Sequence, residues 1–209
     1  MKVAIFGGTG KTGKHLVQEA LNAGHDVTLL ARTPSKLGIE HPALQIVQGD
    51  IANLSAIETT IAGVDVVMSV LGPTPKQPPF AISNGITNII TAMKKQGLKR
   101  LVISAGAGVG DPNDKPKFVD RLATFAIRTL SKNAYEDMNA VVDIVRTSNL
   151  DWTIIRVPML TDQPKQNKIR LAYLGGDVGI RLSRADMAEF MLKKGLDKAH
   201  LHKAPVISN

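Results

Sequence analysis

The stretch KVAIFGGTGKTG, residues 2–13, decides the fold. An apolar run of strand length, Lys2–Phe6, leads directly into a turn with glycines at positions 7, 8, 10 and 13. Glycine allows a tight turn at Gly7, close approach of the backbone to a ligand at Gly10, and close packing of a helix on the strand at Gly13. A helix that starts on such a turn presents N–H groups and its positive dipole end to phosphate. We therefore predict that a dinucleotide binds on this turn.

The same turn contains the Gly10-Lys11-Thr12 ending of a nucleoside-triphosphate P-loop. The complete P-loop motif needs a glycine five positions before Gly10, where this chain has Ile5 inside the strand. The spacing therefore excludes a P-loop. We expect Lys11 at the edge of the turn, in reach of a cofactor phosphate and without a part in phosphoryl transfer.

Beyond the turn, apolar runs of strand length alternate with helix-period segments along the whole chain, which is the pattern of βαβ units. The runs are mostly unbroken Val, Ile and Leu, typical of strands that are covered on both faces. We predict a Rossmann-type α/β fold: a doubly wound, mainly parallel sheet with helices on both faces, in three α/β/α layers. At this length we expect a single domain over residues 1–209.

The predicted strands are Lys2–Phe6, Asp26–Ala31, Leu44–Gln48, Val64–Val70, Arg100–Ser104, Trp152–Arg156 and Pro205–Ile207. The predicted helices are Thr12–Ala23, Ser55–Ile61, Ile82–Gln96, Phe118–Leu130, Tyr135–Thr147 and Arg184–Lys194. Two segments interrupt the alternation just after strand ends, Gly72–Phe80 and Gly106–Lys117. Ligands of open α/β sheets bind at this edge, so both segments either shape the substrate pocket or are ordinary surface connections.

The end of the second strand indicates which dinucleotide binds. NAD-specific folds carry an acid there, about 20 residues past the turn, for the ribose 2′-hydroxyl. Residues 29–36 instead read LLARTPSK, with Arg32 and Lys36 and no acid. Because arginine binds phosphate bidentately, we predict that NADP(H) is preferred over NAD(H) and that Arg32 holds the 2′-phosphate. A surface arginine at a strand end is the alternative. Asp50 is expected beside the adenine and Gly72 close to the cofactor.

Five segments carry a family resemblance: FGGTG at 6–10, GD at 49–50, LG at 71–72, DWTIIR at 151–156 and SRADMA at 183–188. They resemble the atypical short-chain dehydrogenase/reductases, and within them the NAD(P)H-binding, NmrA-like group that includes flavin reductase / biliverdin-IXβ reductase. The resemblance covers essentially the whole chain and implies a cofactor lying across the C-terminal ends of the strands. The predicted cofactor-binding residues are Gly7, Thr9, Gly10, Lys11, Thr12, Gly13, Arg32, Lys36, Asp50, Ile51, Leu71, Gly72, Ser104 and Pro158.

Short-chain dehydrogenases ordinarily use a serine at the end of the fifth strand and a Tyr-x-x-x-Lys pair, in which the lysine lowers the pKa of the tyrosine. Ser104 matches the serine, but Tyr135 is followed four residues later by Asn139. Counted back from the sixth strand, the family's tyrosine and lysine positions fall near Ala134 and Met138. Tyr135 is a candidate catalytic acid, and a packing or surface role is the favoured alternative.

The missing lysine limits the kinds of substrate that the protein is expected to reduce. Reducing a ketone requires a proton for the developing alkoxide, whereas a flavin or quinone takes hydride and collects its proton from water. We expect hydride transfer from NADPH to a flavin, quinone or similar planar small-molecule acceptor, with positioning as the main source of rate. Ser104 would bind the nicotinamide or the acceptor, with a structural hydroxyl as the alternative. Met138 and Met159, where flavin reductase relatives carry histidines, and the segment Pro158–Asp162 would line the pocket.

Two other functions stay open. A non-enzymatic regulator that senses NADP(H) and signals to a protein partner is compatible with the resemblance and with the missing Tyr-Lys pair. An isomerase or epimerase that uses the bound nucleotide ranks last, because it needs the proton-transfer pair that is absent. A fold indicates binding more securely than it indicates a reaction.

Composition excludes several classes of site. The chain has no cysteine, which excludes disulfides, thiol catalysis and Cys-ligated zinc. His200 and His202 alone make a poor metal site, so we predict no metal and expect both in a solvated tail. The net charge of +8 is spread in ones and twos and aromatics make up only 4%, which disfavours nucleic acid as a partner.

The chain shows no apolar run near the roughly 20 residues that a membrane span needs, and its start lacks a signal-peptide pattern. We expect a soluble, cytoplasmic protein without a membrane partner, as a monomer or homodimer.

Overall fold

A computed structural model describes residues 1–74 and 77–209, without the side chains at positions 123 and 127. Residues 75 and 76, inside the predicted segment Gly72–Phe80, lie outside the described residues. The strands are β1 (Lys2–Phe6), β2 (Asp26–Ala31), β3 (Leu44–Gln48), β4 (Val66–Ser69), β5 (Arg100–Gly106), β6 (Asp151–Val157), β7 (Met159–Thr161), β8 (Arg170–Ala172), β9 (Arg181–Ser183) and β10 (Val206–Ser208). The helices are α1 (Lys11–Asn22), α2 (Leu54–Thr60), α3 (Ala81–Lys95), α4 (Phe118–Leu130), α5 (Lys132–Arg146) and α6 (Arg184–Leu196).

Eight strands form the central sheet in the order β3-β2-β1-β4-β5-β6-β10-β8. Every pairing in it is parallel except that of β8 with β10. The strand order reverses between β1 and β4, so a crevice opens there at the carboxyl ends of the strands. The predicted Rossmann-type, doubly wound fold is confirmed. β7 and β9 form a separate parallel ribbon.

Apolar side chains on both faces of the sheet explain the unbroken strand sequences. Val3 and Ile5 of β1 belong to a buried cluster with residues of α1 and α6. Ala4 and Phe6 point the other way, into a cluster with residues of α2, α3 and α5. Because successive residues of a strand face opposite sides, a strand buried twice cannot alternate apolar with polar positions.

The glycine turn brings the backbone of α1 against the end of β1. Gly7 has a φ of +87°, a left-handed conformation that favours glycine. The Gly10 amide donates to the Gly7 carbonyl at 3.0 Å, which closes the turn. A Cβ on Gly13 would lie 2.1 Å from the Gly7 carbonyl oxygen and 2.5 Å from the Gly8 Cα. Only glycine at position 13 therefore lets the helix begin this close to the strand.

Several predicted boundaries shift. β4 begins at Val66 instead of Val64, β5 continues past Ser104 to Gly106, and α5 begins at Lys132, one turn before Tyr135. The short strands β7, β8 and β9 were not predicted. Each has three residues and pairs with a segment far away in sequence, so no local periodicity marks it.

The predicted solvated tail at His200 and His202 is only partly right: His202 is exposed and His200 half-buried, but the segment is bonded to the sheet. The His202 amide donates to the Trp152 carbonyl at 2.8 Å, and the Thr153 hydroxyl donates to the His200 carbonyl at 2.8 Å. The His202 ring also packs edge-on against Trp152, with centroids 5.5 Å apart. This segment joins the start of β6 and leads the chain into β10, so backbone hydrogen bonds hold both histidines against the sheet.

We predict that Gly13→Ala destabilises the protein by about 2–3 kcal/mol, since the added methyl group meets backbone atoms that have little room to move. Urea unfolding followed by circular dichroism measures the change. Gly110→Ala is the matched control, because a Cβ there has no neighbour within 4 Å, and we expect a change below about 0.5 kcal/mol. Equal stability of the two variants would contradict the close contact at Gly13.

Candidate functional site

A cleft of about 460 Å³ lies at the crevice predicted by the strand order. The ends of β1 to β4 and the first turns of α3 form its walls. The predicted cofactor-binding residues that line it are Gly7, Thr9, Gly10, Arg32, Asp50, Ile51, Leu71 and Gly72. The structure thus brings together residues from four separate strand ends, which the resemblance implies as a dinucleotide site.

The N-terminus of α1 opens onto this cleft. The first amide bonded within the helix is that of Lys14, which donates to the Gly10 carbonyl at 3.0 Å. The amides of residues 11–13 precede that bond, as in every helix start, and Thr12 and Gly13 belong to this first turn. The turn carries no acidic residue. A pyrophosphate would fit here, because the free amides can donate hydrogen bonds to it and the positive end of the helix dipole attracts it. The glycines between Gly7 and Gly13 carry no side chains that would keep it from the backbone.

Arg32 and Asp50 face each other across the mouth of the cleft. The Arg32 Nε lies 3.8 Å from a carboxylate oxygen of Asp50, and both side chains are largely exposed. Such an exposed pair contributes little to stability and is easily exchanged for another partner. Asp50 also accepts the Ala52 amide at 2.9 Å, which fixes the carboxylate at the end of β3. Lys36 closes an exposed 3₁₀ turn that follows Arg32 and does not line the cleft.

One wall of the cleft comes from α3, which sequence reasoning missed. Asn84, Gly85 and Asn88 face the cleft. The Asn88 side-chain amide donates to the Ile51 carbonyl at 3.0 Å and so ties α3 to the loop after β3. The signal was present in the sequence: small and polar residues at 81, 84, 85 and 88 interrupt the apolar pattern at helical spacing.

Asp137 of α5 positions the start of α3. Its buried carboxylate accepts the amides of Ile82 at 3.2 Å and Ser83 at 2.9 Å. The N-cap residue of α3, Phe80, has a φ of 60° and no side-chain oxygen that could accept a hydrogen bond. Asp137, on the neighbouring helix α5, therefore takes the place of the usual capping side chain.

A second cavity of about 520 Å³ lies beyond the ends of β5 and β6. Most of its lining is apolar: Pro73, Gly106, Ala107, Gly108, Val109, Ala134, Met138, Val157, Pro158, Met159, Leu174, Val178, Gly179, Ile180 and Val206, with Asp120, Thr124 and Tyr135 among the polar residues. Gly72 lines the first cleft and the next residue, Pro73, lines the second cavity, so the two are neighbours. The predicted residues Tyr135, Met138, Pro158 and Met159 all meet in this cavity.

Ser104 lies inside β5, half-buried, two residues before the cavity-lining Gly106. Strand alternation places it on the same face as Val102, which packs with α1 and α6. Tyr135 belongs to α5 on the opposite face. The two predicted catalytic residues therefore approach the edge of the sheet from different sides.

The side chain of Lys11 forms a salt bridge with another residue of the protein. Its Nζ lies 3.0 Å from Asp162, just after β7, and Arg184 contacts the same carboxylate at 2.6 Å. The hydrogen bond from Lys11, helped by the charge of Arg184, lowers the pKa of Asp162. The pair joins the glycine turn to the β7 segment, so Lys11 sits beside the cleft and is not part of its lining.

A buried ion pair holds the loops over the second cavity. Arg156 of β6 is fully buried and makes a two-bond pair with Asp114, with both nitrogen–oxygen distances 2.7 Å. Arg156 also donates to the carbonyls of Val109, at 2.8 Å, and Ala204, at 2.7 Å. The two bonds to Asp114 and the one to Val109 thus fix the cavity-lining loop to β6 of the sheet.

Asp114 extends this network to the opposite wall. Its carboxylate accepts the amides of Asp111 at 2.9 Å and Leu174 at 3.0 Å. Burial of the carboxyl opposes its ionisation, but the hydrogen bonds and charge of Arg156 outweigh burial and hold the pKa of Asp114 below its usual range. The segments 106–114 and 173–174 are consequently anchored at one charged centre.

Within residues 1–74 and 77–209, three or more His, Asp or Glu side chains nowhere gather in a way that suits a metal ion. Nor does any helix of these residues have the length and hydropathy to cross a membrane.

A family model described as NAD(P)H-binding matches residues 7–195. YwnB of Bacillus subtilis, an uncharacterized protein, is 26% identical over 162 residues, which cover 74% of this chain and 70% of YwnB. The 3-beta-hydroxysteroid dehydrogenase of Mycolicibacterium neoaurum is 32% identical over 120 residues, 52% of this chain and 32% of the dehydrogenase. The match thus spans about a third of that enzyme's length.

Among solved structures, SP1627 of Streptococcus pneumoniae, provisionally named an NADH-flavin reductase, superposes with a TM-score of 0.78. It is 22% identical, and the match covers 100% of this chain and 99% of SP1627. At that identity the likeness shows a common fold.

We predict that Asp114→Asn lowers the free energy of unfolding at pH 7 by about 3 kcal/mol, because it leaves Arg156 buried without a counter-charge. The folded-state pKa of Asp114 lies below the unfolded value of about 3.9, so the contribution of this carboxylate is complete above that pH and is lost as the pH falls through the folded pKa. Urea unfolding from pH 7 to pH 3 should show the wild type and the variant converging in acid.

Asp177→Asn is the matched control. It removes a carboxylate 3.2 Å from Arg170, but the Asp177 side chain is 85% exposed, and we expect a change within about 0.5 kcal/mol. A difference between Asp114→Asn and wild type that stays constant down to pH 3 would contradict the assigned role of the charge.

Proposed function

The chain belongs to the NAD(P)H-binding family, and from that premise we propose that it is an NADPH-dependent reductase that transfers hydride to a flavin, quinone or similar planar acceptor. The observation that carries the proposal is the junction of two unlike cavities at Gly72 and Pro73. One is a cleft at a glycine turn and a helix N-terminus, in whose wall Arg32, Asp50 and other polar residues stand among apolar ones. The other is an apolar cavity that suits a flat, poorly charged ring.

The residues of the cleft fit a dinucleotide along its length. The amides at the start of α1 and the Gly7–Gly10 turn would hold the pyrophosphate. Arg32 and Asp50 would hold the adenosine end, and Leu71 with Gly72 would guide the nicotinamide toward the apolar cavity. When bound, the cofactor supplies hydride; the protein supplies alignment and the exclusion of water around the acceptor.

NADPH is the proposed form because of the charge at the second strand end. A 2′-phosphate placed beside Arg32 gains a bidentate, charge-assisted contact. The only counter-charge within 4 Å of Arg32 in the described structure is Asp50, at 3.8 Å and largely exposed, so the guanidinium can turn to a phosphate at little cost. An NAD-type site would instead need a carboxylate at the end of β2, where Arg32 stands.

The residues around Tyr135 favour an acceptor that needs no proton from the protein. At the position of the expected lysine, Asn139 donates its side-chain amide to the Tyr135 carbonyl at 2.7 Å, a bond within the helix. An amide, and not the ammonium group of a Tyr-Lys pair, therefore stands four residues beyond Tyr135. A flavin or quinone takes its proton from water, and the provisional name of SP1627 agrees with a flavin as one candidate.

We expect Arg32→Ala to weaken NADPH binding by about 10- to 100-fold, the value of a charge-assisted hydrogen-bonded contact, and to leave NADH binding within about 3-fold. Titration of nicotinamide fluorescence with both cofactors measures the effect. Lys94→Ala, which removes an exposed positive charge from the far end of α3, should change neither affinity by more than about 2-fold. Equal losses for NADPH and NADH in Arg32→Ala would refute the 2′-phosphate contact.

Acceptor-dependent oxidation of NADPH is the direct test of the reaction. The protein should oxidise NADPH in the presence of FMN, riboflavin or a quinone, and Tyr135→Phe should retain turnover within about 3-fold. A tyrosine acting as general acid would instead be worth roughly 100-fold or more. Tight NADPH binding without oxidation by any of these acceptors would overturn the reductase proposal in favour of an NADP(H)-sensing regulator.

A further inference from the structure

Helix α4 exposes an unusual number of large apolar side chains. Phe118 is 79% exposed, Phe125 is 66% exposed and Leu130 is 84% exposed, and Val119 and Leu122 are also mostly exposed. Five such residues on one 13-residue helix form a continuous surface, whereas scattered single exposures are ordinary. α4 packs against α5, and this exposed surface is what that contact leaves uncovered.

The apolar residues of α4 form one face. At 100° per residue, Phe118, Leu122 and Phe125 fall within a narrow stripe, with Val119 and Leu130 along its border. Arg121 and Arg128 share a second stripe next to the first, and both are exposed. The helix is therefore amphipathic with its apolar face outward, the reverse of a helix that packs on a core.

Positive charge surrounds this face. Besides its two arginines, α4 is preceded by the exposed Lys115 and Lys117 and followed by the exposed Lys132, whose charge is balanced by Glu136 at 3.9 Å. The acidic residue of the helix, Asp120, is half-buried, lines the apolar cavity and accepts the Lys117 amide at 2.8 Å. The exposed surface of this region thus combines phenylalanine and leucine with a net positive charge.

We propose that α4 docks on the surface of an anionic lipid bilayer, with Phe118, Leu122 and Phe125 entering the headgroup boundary and Arg121 and Arg128 meeting acidic headgroups. Basic residues beside an outward apolar face are the signature of helices that lie in the membrane interface. The sequence expectation of no membrane partner was based on the lack of a spanning run. Interfacial binding needs no such run, and a short amphipathic helix is sufficient.

A second copy of the chain fits this surface less well. In a two-fold dimer the same patch meets itself, so Arg121 and Arg128 would face the arginines of the other copy or lie close to them. Like charges brought together in an apolar interface are unfavourable. Charge complementarity therefore selects an anionic surface over self-association.

The docked orientation has a consequence for the apolar cavity. Asp120 and Thr124 of α4 line that cavity, and its rim includes the exposed Met159 and Ile180. Because Asp120 and Thr124 lie on the face of α4 opposite the apolar stripe, docking would place the apolar cavity on the protein side of the helix, one helix diameter, about 10 Å, from the lipid surface. If the proposed reductase function holds, a lipid-soluble quinone is the acceptor best placed to enter; the docking itself does not depend on that function.

The test measures binding of the intact protein to vesicles by cosedimentation, without cofactor or acceptor. We expect binding to phosphatidylcholine vesicles that contain phosphatidylglycerol, at least 10-fold weaker binding to pure phosphatidylcholine, and weakening with added salt. Phe118→Ser/Phe125→Ser and Arg121→Gln/Arg128→Gln should each reduce binding by about 10-fold or more. Lys94→Gln/Lys99→Gln, which removes the same charge at exposed sites away from α4, should stay within about 2-fold of wild type.

Unchanged NADPH affinity shows that each variant is folded. Absence of wild-type binding to either vesicle would overturn the proposal, as would binding that the two phenylalanine substitutions leave intact. A wild-type dimer in analytical ultracentrifugation that dissociates in Phe118→Ser/Phe125→Ser would assign the face to a second copy and also overturn it. None of these outcomes depends on catalysis, so the reductase proposal stands or falls separately.

Discussion

The contact between the backbone of Gly13 and the backbone of Gly7 and Gly8 is the constraint on which the rest of the site depends. It lets α1 start directly on the end of β1, so that the amides of its first turn face the crevice between β1 and β4. Any side chain at position 13 would displace the helix and with it the anion-binding end. The dinucleotide end of the proposed site is thus built largely from backbone, and we propose that a few side chains such as Arg32 add the cofactor preference.

The apolar half is built differently. Helices α4 and α5 and several strand ends form part of its walls, and the remaining walls come from loop segments that the buried Arg156–Asp114 pair holds in place. One charged centre inside the protein fixes the segment after β5, the segment before Gly175 and the strand β6 relative to one another. Loops that are anchored in this way keep the cavity in a defined shape even where the residues that line it vary. Such a cavity suits a pocket that determines substrate specificity.

The sequence predicted the parts whose cause is local. Every strand of the parallel core and all six helices follow from runs of apolar residues and from glycine positions. The predicted cofactor-binding residues that line the cleft, from Gly7 to Gly72, rest on the ends of these strands and on the family resemblance. The features that were not predicted depend on residues far apart in the chain. β7 pairs with β9 across some twenty residues, Asp114 forms an ion pair with Arg156, and Asp137 caps α3. The exposure of α4 belongs to the same group, because periodicity identifies an apolar face but not whether anything covers it. The bonds of His200 and His202 were missed for the same reason, since they are made to β6.

We propose that one extended ligand path crosses from a dinucleotide cleft into an apolar acceptor cavity at Gly72 and Pro73. A crystal structure with NADP⁺ bound tests this path most directly. We predict the 2′-phosphate within hydrogen-bond distance of the Arg32 guanidinium, the pyrophosphate at the amides of residues 11–13, and the nicotinamide ring at the mouth of the cavity lined by Met138 and Met159. A nicotinamide directed away from that cavity, or an adenine ribose without contact to Arg32, would contradict it.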